Sequence, residues 1–154
     1  MSKPKILVIV GPTAVGKSDM AVFLAKKIKG EVISADSRQV YKGLDIGTGK
    51  ITKKEMQKIP HHLLDVEDPK KTFNADKFLK LAKEKIKGIL KREKVPIICG
   101  GTGFYINLLT ENIKLPSVKP NKKLREKLQK ESLEKLVSIL EKIDKIIENT
   151  YGKK

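Results

Sequence analysis

The chain has 154 residues, 39% hydrophobic residues and a formal net charge of +16, so a disordered chain is excluded and the length suits one domain. The charge indicates a polyanionic partner, most simply a nucleic acid; the alternative is a lysine-rich proteome in which lysine covers any solvated face. Aromatic residues make up 5% and tryptophan is absent, so no stacking platform for single strands is visible.

The single cysteine, Cys99, lies in the apolar run VPIICGG, which predicts a buried, inert thiol. One cysteine excludes a disulfide within the chain and suggests no cysteine-based metal site, so a reducing compartment fits. The run KILVIV is too short for the core of a signal peptide, and no run approaches the ~20 apolar residues of a membrane span. We therefore expect a cytoplasmic protein with no membrane partner.

The first predicted strand, KILVIV at residues 5–10, leads into GPTAVGKS, which matches G-x-x-x-x-G-K-[ST] without a mismatch. A predicted helix follows, in which Met20, Phe23, Leu24, Ala25 and Ile28 recur at helical spacing. Strand, glycine loop and helix form the context in which this motif grips phosphate; the alternative is a glycine turn that binds nothing.

The motif predicts a separate task for its last two residues. Lys17 should reach the terminal phosphates, and the Ser18 hydroxyl should bind Mg²⁺. The predicted phosphate-binding or nucleotide-binding residues are Gly11, Pro12, Thr13, Ala14, Val15, Gly16, Lys17 and Ser18.

Several elements follow in chain order. GEVIS at 30–34 predicts a second strand, and a polar, glycine-rich loop with one helical turn comes after it. ITKKEMQKI predicts a short helix ended by Pro60, and HHLLDVEDP predicts a brief strand with a turn at 68–69. Asn74 is the predicted N-cap of a long amphipathic helix. Its apolar stripe consists of Phe78, Leu81, Ala82, Ile86, Ile89 and Leu90.

VPIICGG predicts another parallel strand, buried on both faces, and GFYINLLTE predicts a helix that begins near Thr102. Strands that alternate with helices predict an α/β fold, with a three-layer parallel sheet of the P-loop NTPase type and helices on both faces. We assign this core to residues 1–113.

The predicted second segment, residues 114–154, is basic and helical after the linker KLPSVKP. It favours an arm that contacts nucleic acid; the alternative is a helical pair that packs on the sheet with a solvated basic face. Its apolar positions in register are Leu124, Leu128, Leu133, Leu136, Val137, Leu140, Ile143 and Ile147.

Three strand ends carry candidate chemistry. Asp36 follows the second strand, so it should lie at the same sheet edge as Lys17 and Ser18. A carboxylate there can hold Mg²⁺ through water or act as a general base. The later strand ends in GGTGFY, where Gly100 and Gly101 allow close backbone approach and Thr102 offers a hydroxyl donor.

Four segments, GPTAVGKS, ISADSRQVYKGLDIGTGK, PHHLLDVEDP and VPIICGGTGFYINLLTE, resemble in order and spacing the motifs of the tRNA dimethylallyltransferases, also called tRNA isopentenyltransferases. The resemblance covers roughly the first 125 residues. It implies that the loop holds the diphosphate of dimethylallyl diphosphate. The dimethylallyl group would then pass to N6 of the adenosine adjacent to the anticodon in tRNA.

The resemblance also implies roles for single residues. Asp36, Thr102 and Lys17 match catalytic positions, and Mg²⁺ is the implied cofactor, held by Ser18 with Asp36. Arg125 sits one residue away from the expected spacing of a tRNA-contacting arginine. The implied tRNA-binding residues are Asp36, Ser37, Arg38, Gln39, Thr102 and Arg125.

Other residues carry weaker predictions. Tyr41 and Phe104 either line a prenyl pocket or, as we favour, pack between elements. Asp45 and Thr48 are expected to shape the loop after Asp36. His61 and His62 have no third ligand at metal spacing, so no zinc site is predicted.

Chains of this family are longer, and their second half carries further tRNA contacts, so we expect a truncated, split or minimal form in which residues 114–154 begin a tRNA-binding insertion. The expected partners are the tRNA anticodon stem-loop, dimethylallyl diphosphate and a complementary polypeptide for the second half. Two alternatives remain: a small-molecule phosphotransferase, and a nucleotide- and RNA-binding module without turnover.

Overall fold

The computed structural model describes residues 5–111, 113, 115, 118 and 120–143. Contacts divide the chain into two units, Met1–Leu115 and Pro116–Lys154. Among the described residues, every helix is too short or too polar to cross a bilayer.

The first unit contains a parallel sheet of four strands: β1 (Leu7–Ile9), β2 (Gly30–Ser34), β3 (His61–His62) and β4 (Val95–Cys99). The strand order is β1-β4-β2-β3, so β4 and β2 occupy the centre and are the most deeply buried. All pairings are parallel, with Val32 beside Ile97 in the central pair. The predicted parallel sheet is confirmed.

The helices of this unit are α1 (Lys17–Ile28), α2 (Lys53–Met56), α3 (Ala75–Lys91) and α4 (Gly103–Thr110). The predicted cap of α3 is present, since the Asn74 side chain accepts from the Lys77 N–H at 2.9 Å. Thr52 and Glu55 form a reciprocal capping box that starts α2. A short 3₁₀ turn (Ile46–Thr48) is the single helical turn predicted in the polar loop.

Two apolar clusters lie on opposite faces of the sheet, because successive strand residues point to opposite sides. On one face Ala21 and Ala25 of α1 pack against Val32 and Ile97. On the other face, α3 and α4 pack against Ile33 and Ile98. The rings of Phe78 and Tyr105 stack there with their centroids 4.2 Å apart. The three-layer arrangement is therefore confirmed.

The buried face of α1 overlaps only in part with the apolar residues found at helical spacing. Ala21, Val22 and Ala25 are buried, whereas Met20 and Phe23 are 50% and 51% exposed. Small residues let the helix lie close to the sheet, so the face with the smallest side chains is the one that packs. Of the residues at helical spacing, Ala25 and Leu24 pack against this core, whereas the larger Met20 and Phe23 do not.

In the second unit the described helices are α5 (Lys122–Leu128) and α6 (Leu133–Ile143). Asn121 caps α5 by accepting from the Leu124 N–H at 3.0 Å. The predicted apolar positions are largely exposed, including Leu124, Leu133 and Ile143. Ile147 lies outside the described residues.

A buried carboxylate joins the amino-terminal ends of the central strands to the end of α3. Glu31 in β2 has a side chain only 3% exposed; it accepts from Arg92 at 2.7 Å, from Lys94 at 2.9 Å and lies 2.7 Å from His62 Nε2. Burial alone would raise the pKa of Glu31, but hydrogen bonds from Arg92, Lys94 and His62 more than offset it and lower this pKa to about 2.

We expect Glu31 to make folding stability depend on acid pH. Because its pKa is lower in the folded than in the unfolded chain, its contribution is complete above about pH 4.5 and is lost as pH falls towards 2. The difference in unfolding free energy between wild type and Glu31→Gln should shrink by about 3 kcal/mol across this window. Urea unfolding at several pH values measures it, with the exposed Glu84→Gln as control. A difference that does not change with pH would contradict the role of Glu31.

Candidate active site

The phosphate loop lies between the end of β1 and the first turn of α1. Gly11, Ala14 and Gly16 have positive φ values of 156°, 64° and 80°. Gly16 occupies the N-cap position of α1, and among the residues that the structure describes no side chain caps this end of the helix. The first N–H groups of α1 and the positive end of its dipole therefore remain available to an anion.

Lys17 and Cys99 bracket this loop. The Lys17 ammonium donates to the carbonyl of Pro12, so the side chain lies back across the loop. On the sheet side, the Cys99 thiol donates to the Lys17 carbonyl at 3.5 Å. Burial raises the pKa of Cys99 to about 11, which keeps the thiol protonated and agrees with the prediction of an inert cysteine.

Asp36 lies two residues beyond the end of β2. Its Oδ1 accepts from the N–H of Arg38 at 2.8 Å and from the N–H of Gln39 at 3.2 Å, which holds the carboxylate in a tight turn. Within the described part of the chain, Oδ2 accepts no hydrogen bond. One oxygen of Asp36 is thus held by the backbone while the other remains open to a substrate.

The turn after β4 approaches the Asp36 segment closely. A Cβ at Gly100 would collide with the carbonyl group of Ala35 and lie 2.9 Å from its Cα, so only glycine fits there. At Gly101 an added Cβ would meet open space, so the close approach predicted for both glycines holds at the first. The Thr102 N–H donates to the Ala35 carbonyl at 3.1 Å, and the Thr102 hydroxyl accepts from the Ser37 N–H at 3.0 Å.

These strand ends enclose a cavity of about 390 Å³. Residues of the phosphate loop line this cavity together with Asp36, Gly100 and Gly101. The sequence predicted that these segments would meet at one edge of the sheet. Of the predicted phosphate-binding residues, the wall includes Thr13, Ala14, Gly16, Lys17 and Ser18.

The remaining predicted site residues of the first unit lie beside this cavity. In the described part of the chain, Thr102 and Ser37 are hydrogen-bonded to each other and do not line the cavity. Arg38 is exposed to solvent. Gly11, Pro12 and Val15 belong to the loop but do not line the cavity. Arg125 is an exposed residue of α5 in the second unit.

Gln39, a predicted tRNA-binding residue, uses its side chain inside the protein. Its amide nitrogen donates to the carbonyls of Thr48 at 3.4 Å and Gly49 at 3.2 Å, and its oxygen accepts from the Ser34 hydroxyl at 3.4 Å. Gln39 thereby connects the end of β2 to the following loop, and contact with tRNA stays a prediction.

The residues with weaker predictions lie in the core, on the surface or in the loop after β2. The Tyr41 hydroxyl accepts from the Phe73 N–H at 3.2 Å and the ring packs against the core, as the packing interpretation expected. Phe104 is exposed and lies outside the cavity wall. The Thr48 hydroxyl donates to loop carbonyls and Asp45 pairs with Lys50, so both residues shape the loop as predicted.

Sequence reasoning missed five residues of the cavity wall and one buried cation. The five wall residues are Asp19, Ser34, Gly49, Ile51 and Glu55. Lys50 is buried beside the cavity and binds two carboxylates, yet nothing in the pattern GTGK distinguishes Lys50 from the many exposed lysines.

The chain is similar to known proteins over most of its length. The model of the IPP transferase family matches residues 39–154. The tRNA dimethylallyltransferase of Finegoldia magna is 49% identical over 146 residues, which cover 92% of this chain and 46% of that protein. The protein of the same name from Thermoanaerobacter sp. is 53% identical over 125 residues, with 81% and 40% covered.

Solved structures of tRNA-modifying transferases are also similar to this chain. The tRNA isopentenylpyrophosphate transferase of Bacillus halodurans superposes with a TM-score of 0.74 and is 44% identical, over 92% of this chain and 48% of that one. A eukaryotic dimethylallyltransferase acting on tRNA superposes with a TM-score of 0.82 and is 34% identical, over 97% and 38%.

The chain spans a little under half the length of the curated relatives it matches. Within that span the family model covers most of the residues, and identity to the relatives is near one half. The phosphate loop, Asp36 and the glycine turn after β4 lie together at one sheet edge. On this match of sequence and fold, the chain belongs to the IPP transferase family.

Proposed function

We propose that this protein transfers the dimethylallyl group of dimethylallyl diphosphate to N6 of the adenosine adjacent to the anticodon in tRNA. The observation that carries the proposal is the cavity in which Lys17 and the phosphate loop face Asp36. Relatives named tRNA dimethylallyltransferase, and a solved enzyme described as acting on tRNA, support it.

The reaction exchanges a C1–O bond for an N6–C1 bond and moves one proton from N6 to a base. The C1–O bond of dimethylallyl diphosphate breaks, and its electron pair leaves with the diphosphate. The N6 lone pair forms the new bond to C1, and the N6 proton is transferred to a base. The free N–H groups at the start of α1 and the Lys17 ammonium stabilise the charge that develops on the leaving diphosphate.

Asp36 is the proposed base. Its Oδ1 is held by two backbone N–H groups, while Oδ2 is open within the described residues and available to the amine. A carboxylate positioned in this way accepts a hydrogen bond, and then the proton, from N6. The target base must leave the anticodon stack to reach it.

The proposal also assigns roles to Thr102, which lies beside the cavity, and to three residues that would contact tRNA. The Thr102 hydroxyl accepts from Ser37, so its own proton remains available for a diphosphate oxygen. Ser37, Arg38 and Arg125 are proposed to contact tRNA, and the formal charge of +16 favours such a partner.

Mg²⁺ is the proposed cofactor, and the donor set fits it. The Ser18 hydroxyl lines the cavity and would hold the ion directly, while Asp36, whose Oδ2 serves the amine, would act on the ion only through water. In the described residues no group of three His, Cys, Asp or Glu side chains forms a metal site, so diphosphate oxygens and water would supply the other ligands. When bound, the ion neutralises charge on the leaving diphosphate.

The rival activity, a small-molecule phosphotransferase, has little support. Such enzymes place arginines over the transferred phosphoryl group. Of the arginines here, Arg92 is bound to Glu31 at the opposite end of the strands. Membership of the IPP transferase family also favours prenyl transfer.

Two further expectations stay predictions: cytoplasmic localisation and a complementary polypeptide for the second half. The comparisons with known proteins give the polypeptide no support.

Labelled dimethylallyl diphosphate, mixed with the protein and undermodified tRNA, tests the proposed function. We expect label in a single modified adenosine next to the anticodon after nucleoside analysis. A tRNA with guanosine at that position lacks the N6 amine and should take up no label. Transfer of phosphate from ATP to a small molecule, with no label in tRNA, would replace our proposal with the phosphotransferase.

A further inference from the structure

Lys50 is a buried cation outside the reaction described above. Its side chain is 5% exposed, and its ammonium donates to the Tyr41 carbonyl at 2.8 Å and to carboxylate oxygens of Asp45 and Asp65, both at 2.6 Å. Three donors thus meet three acceptors. Burial alone would lower the pKa of Lys50, but the two carboxylates offset this and raise it, so the residue stays charged.

These contacts join two segments that are distant in sequence. Asp65 belongs to the stretch after β3, and its N–H donates to the Gln39 carbonyl at 3.3 Å. The next residue, Val66, donates to the Val40 carbonyl at 2.8 Å. Lys50 therefore binds the far end of the loop after β2 to both the beginning of that loop and the neighbouring stretch.

The loop needs such a contact because its own backbone is permissive. Gly43 and Gly49 have positive φ values of 71° and 57°, and glycine loses more conformational entropy on ordering than other residues. Without the ammonium, Asp45 and Asp65 would also face each other as like charges. Loss of Lys50 would therefore favour other conformations of this loop.

The same loop forms one wall of the active-site cavity. Thr48, Gly49 and Ile51, on either side of Lys50 in sequence, line the same cavity as the phosphate loop. Gln39 holds the carbonyls of Thr48 and Gly49 from the side of β2. The position of this wall thus depends on Gln39 at one end and on Lys50 at the other.

We propose that Lys50 is a positioning residue, which holds the Thr48–Gly49 wall of the cavity so that the amine and the diphosphate meet in reacting geometry. Lys50 would touch neither substrate, and the inference rests on the proposed function for its kinetic consequence. A displaced wall misaligns the reacting atoms but leaves the phosphate loop, which lies on β1 and α1, intact. The loss should therefore appear in the rate of transfer and not in diphosphate affinity.

Lys50→Met removes the charge and keeps the length of the stem, and Lys53→Met, an exposed lysine on α2, is the matched control. We expect the single-turnover rate of prenyl transfer to fall about 10- to 100-fold in Lys50→Met, with affinity for dimethylallyl diphosphate within about 3-fold of wild type. Amide hydrogen exchange in residues 41–51 should accelerate by at least about 10-fold while exchange in β2 and β4 is unchanged. Lys53→Met should match wild type in all three.

Two further variants keep the test decisive. Lys50→Arg preserves the charge and should recover part of the lost rate. Asp65→Asn removes a half-exposed partner of Lys50 and should lower the transfer rate less than Lys50→Met does. It is the variant to measure if Lys50→Met does not fold. A wild-type rate in Lys50→Met, or unchanged exchange in the loop, would overturn the proposal. A wild-type protein that transfers no prenyl group would refute the proposed function instead, while the exchange measurement still tests the role of Lys50 in the loop.

Discussion

Replacement of Asp36 by asparagine should lower the single-turnover rate of prenyl transfer by about 10²–10⁴-fold. An amide oxygen can still accept from the N–H groups of Arg38 and Gln39, so the turn after β2 is preserved. The amide cannot take the N6 proton, however. The loss therefore corresponds to about 3–5 kcal/mol of transition-state stabilisation, with little change in the binding of either substrate.

The experiment compares Asp36→Asn with Asp76→Asn, which makes the same change at an exposed position in the first turn of α3. Rapid-quench measurement with saturating dimethylallyl diphosphate and tRNA isolates the chemical step. If Asp36→Asn retained a rate near that of wild type, the base would have to be another group. A comparable loss in Asp76→Asn would point to a general effect of removing a carboxylate.

Replacement of Lys17 by methionine should weaken the binding of dimethylallyl diphosphate by about 100-fold or more. The ammonium now donates to the Pro12 carbonyl. In the proposed complex it would donate to a diphosphate oxygen instead. A hydrogen bond between a cation and an anionic oxygen contributes about 1.5–3 kcal/mol, and loss of the charge from the cavity adds to this. Methionine keeps most of the apolar stem, so the loop should retain its shape.

Calorimetric titration with dimethylallyl diphosphate measures this affinity directly. Lys27→Met is the matched control, because Lys27 lies on the same helix with its ammonium over the exposed Phe23 ring at 4.7 Å. Equal affinities for wild type and Lys17→Met would remove the diphosphate from the phosphate loop. Equal losses in both variants would mean that net charge, and not a contact with Lys17, drives binding.

The fold was largely predictable because its signals are local. GEVIS and VPIICGG were predicted as strands and are the two central strands, and Asn74 caps α3 as expected. The three-layer arrangement followed from the alternation of strands and helices. The apolar pattern of α1 was only partly right: Ala25 is buried as the pattern expected, whereas Met20 and Phe23 are exposed and Ala21, outside the pattern, is buried on the sheet.

The candidate site was predictable where chemistry is encoded in adjacent residues. The loop from Gly11 to Ser18 is recognisable from its own spacing, and Asp36 from its place just beyond a strand. The contacts that position the rest of the cavity wall were harder to predict from sequence. Gln39 was assigned to tRNA, yet its amide spans Ser34 and the carbonyls of Thr48 and Gly49, which no local pattern indicates.

By itself, the sequence determined the phosphate loop, the parallel α/β sheet and the family resemblance, because turn chemistry, hydrophobic period and motif spacing act over a few neighbouring residues. Only the tertiary structure decided which charged residues are buried. Glu31 meets Arg92 and Lys94, and Lys50 meets Asp65, across long stretches of chain. Burial of a charge is tolerated only where packing brings partners within hydrogen-bond distance, and that condition depends on the whole fold.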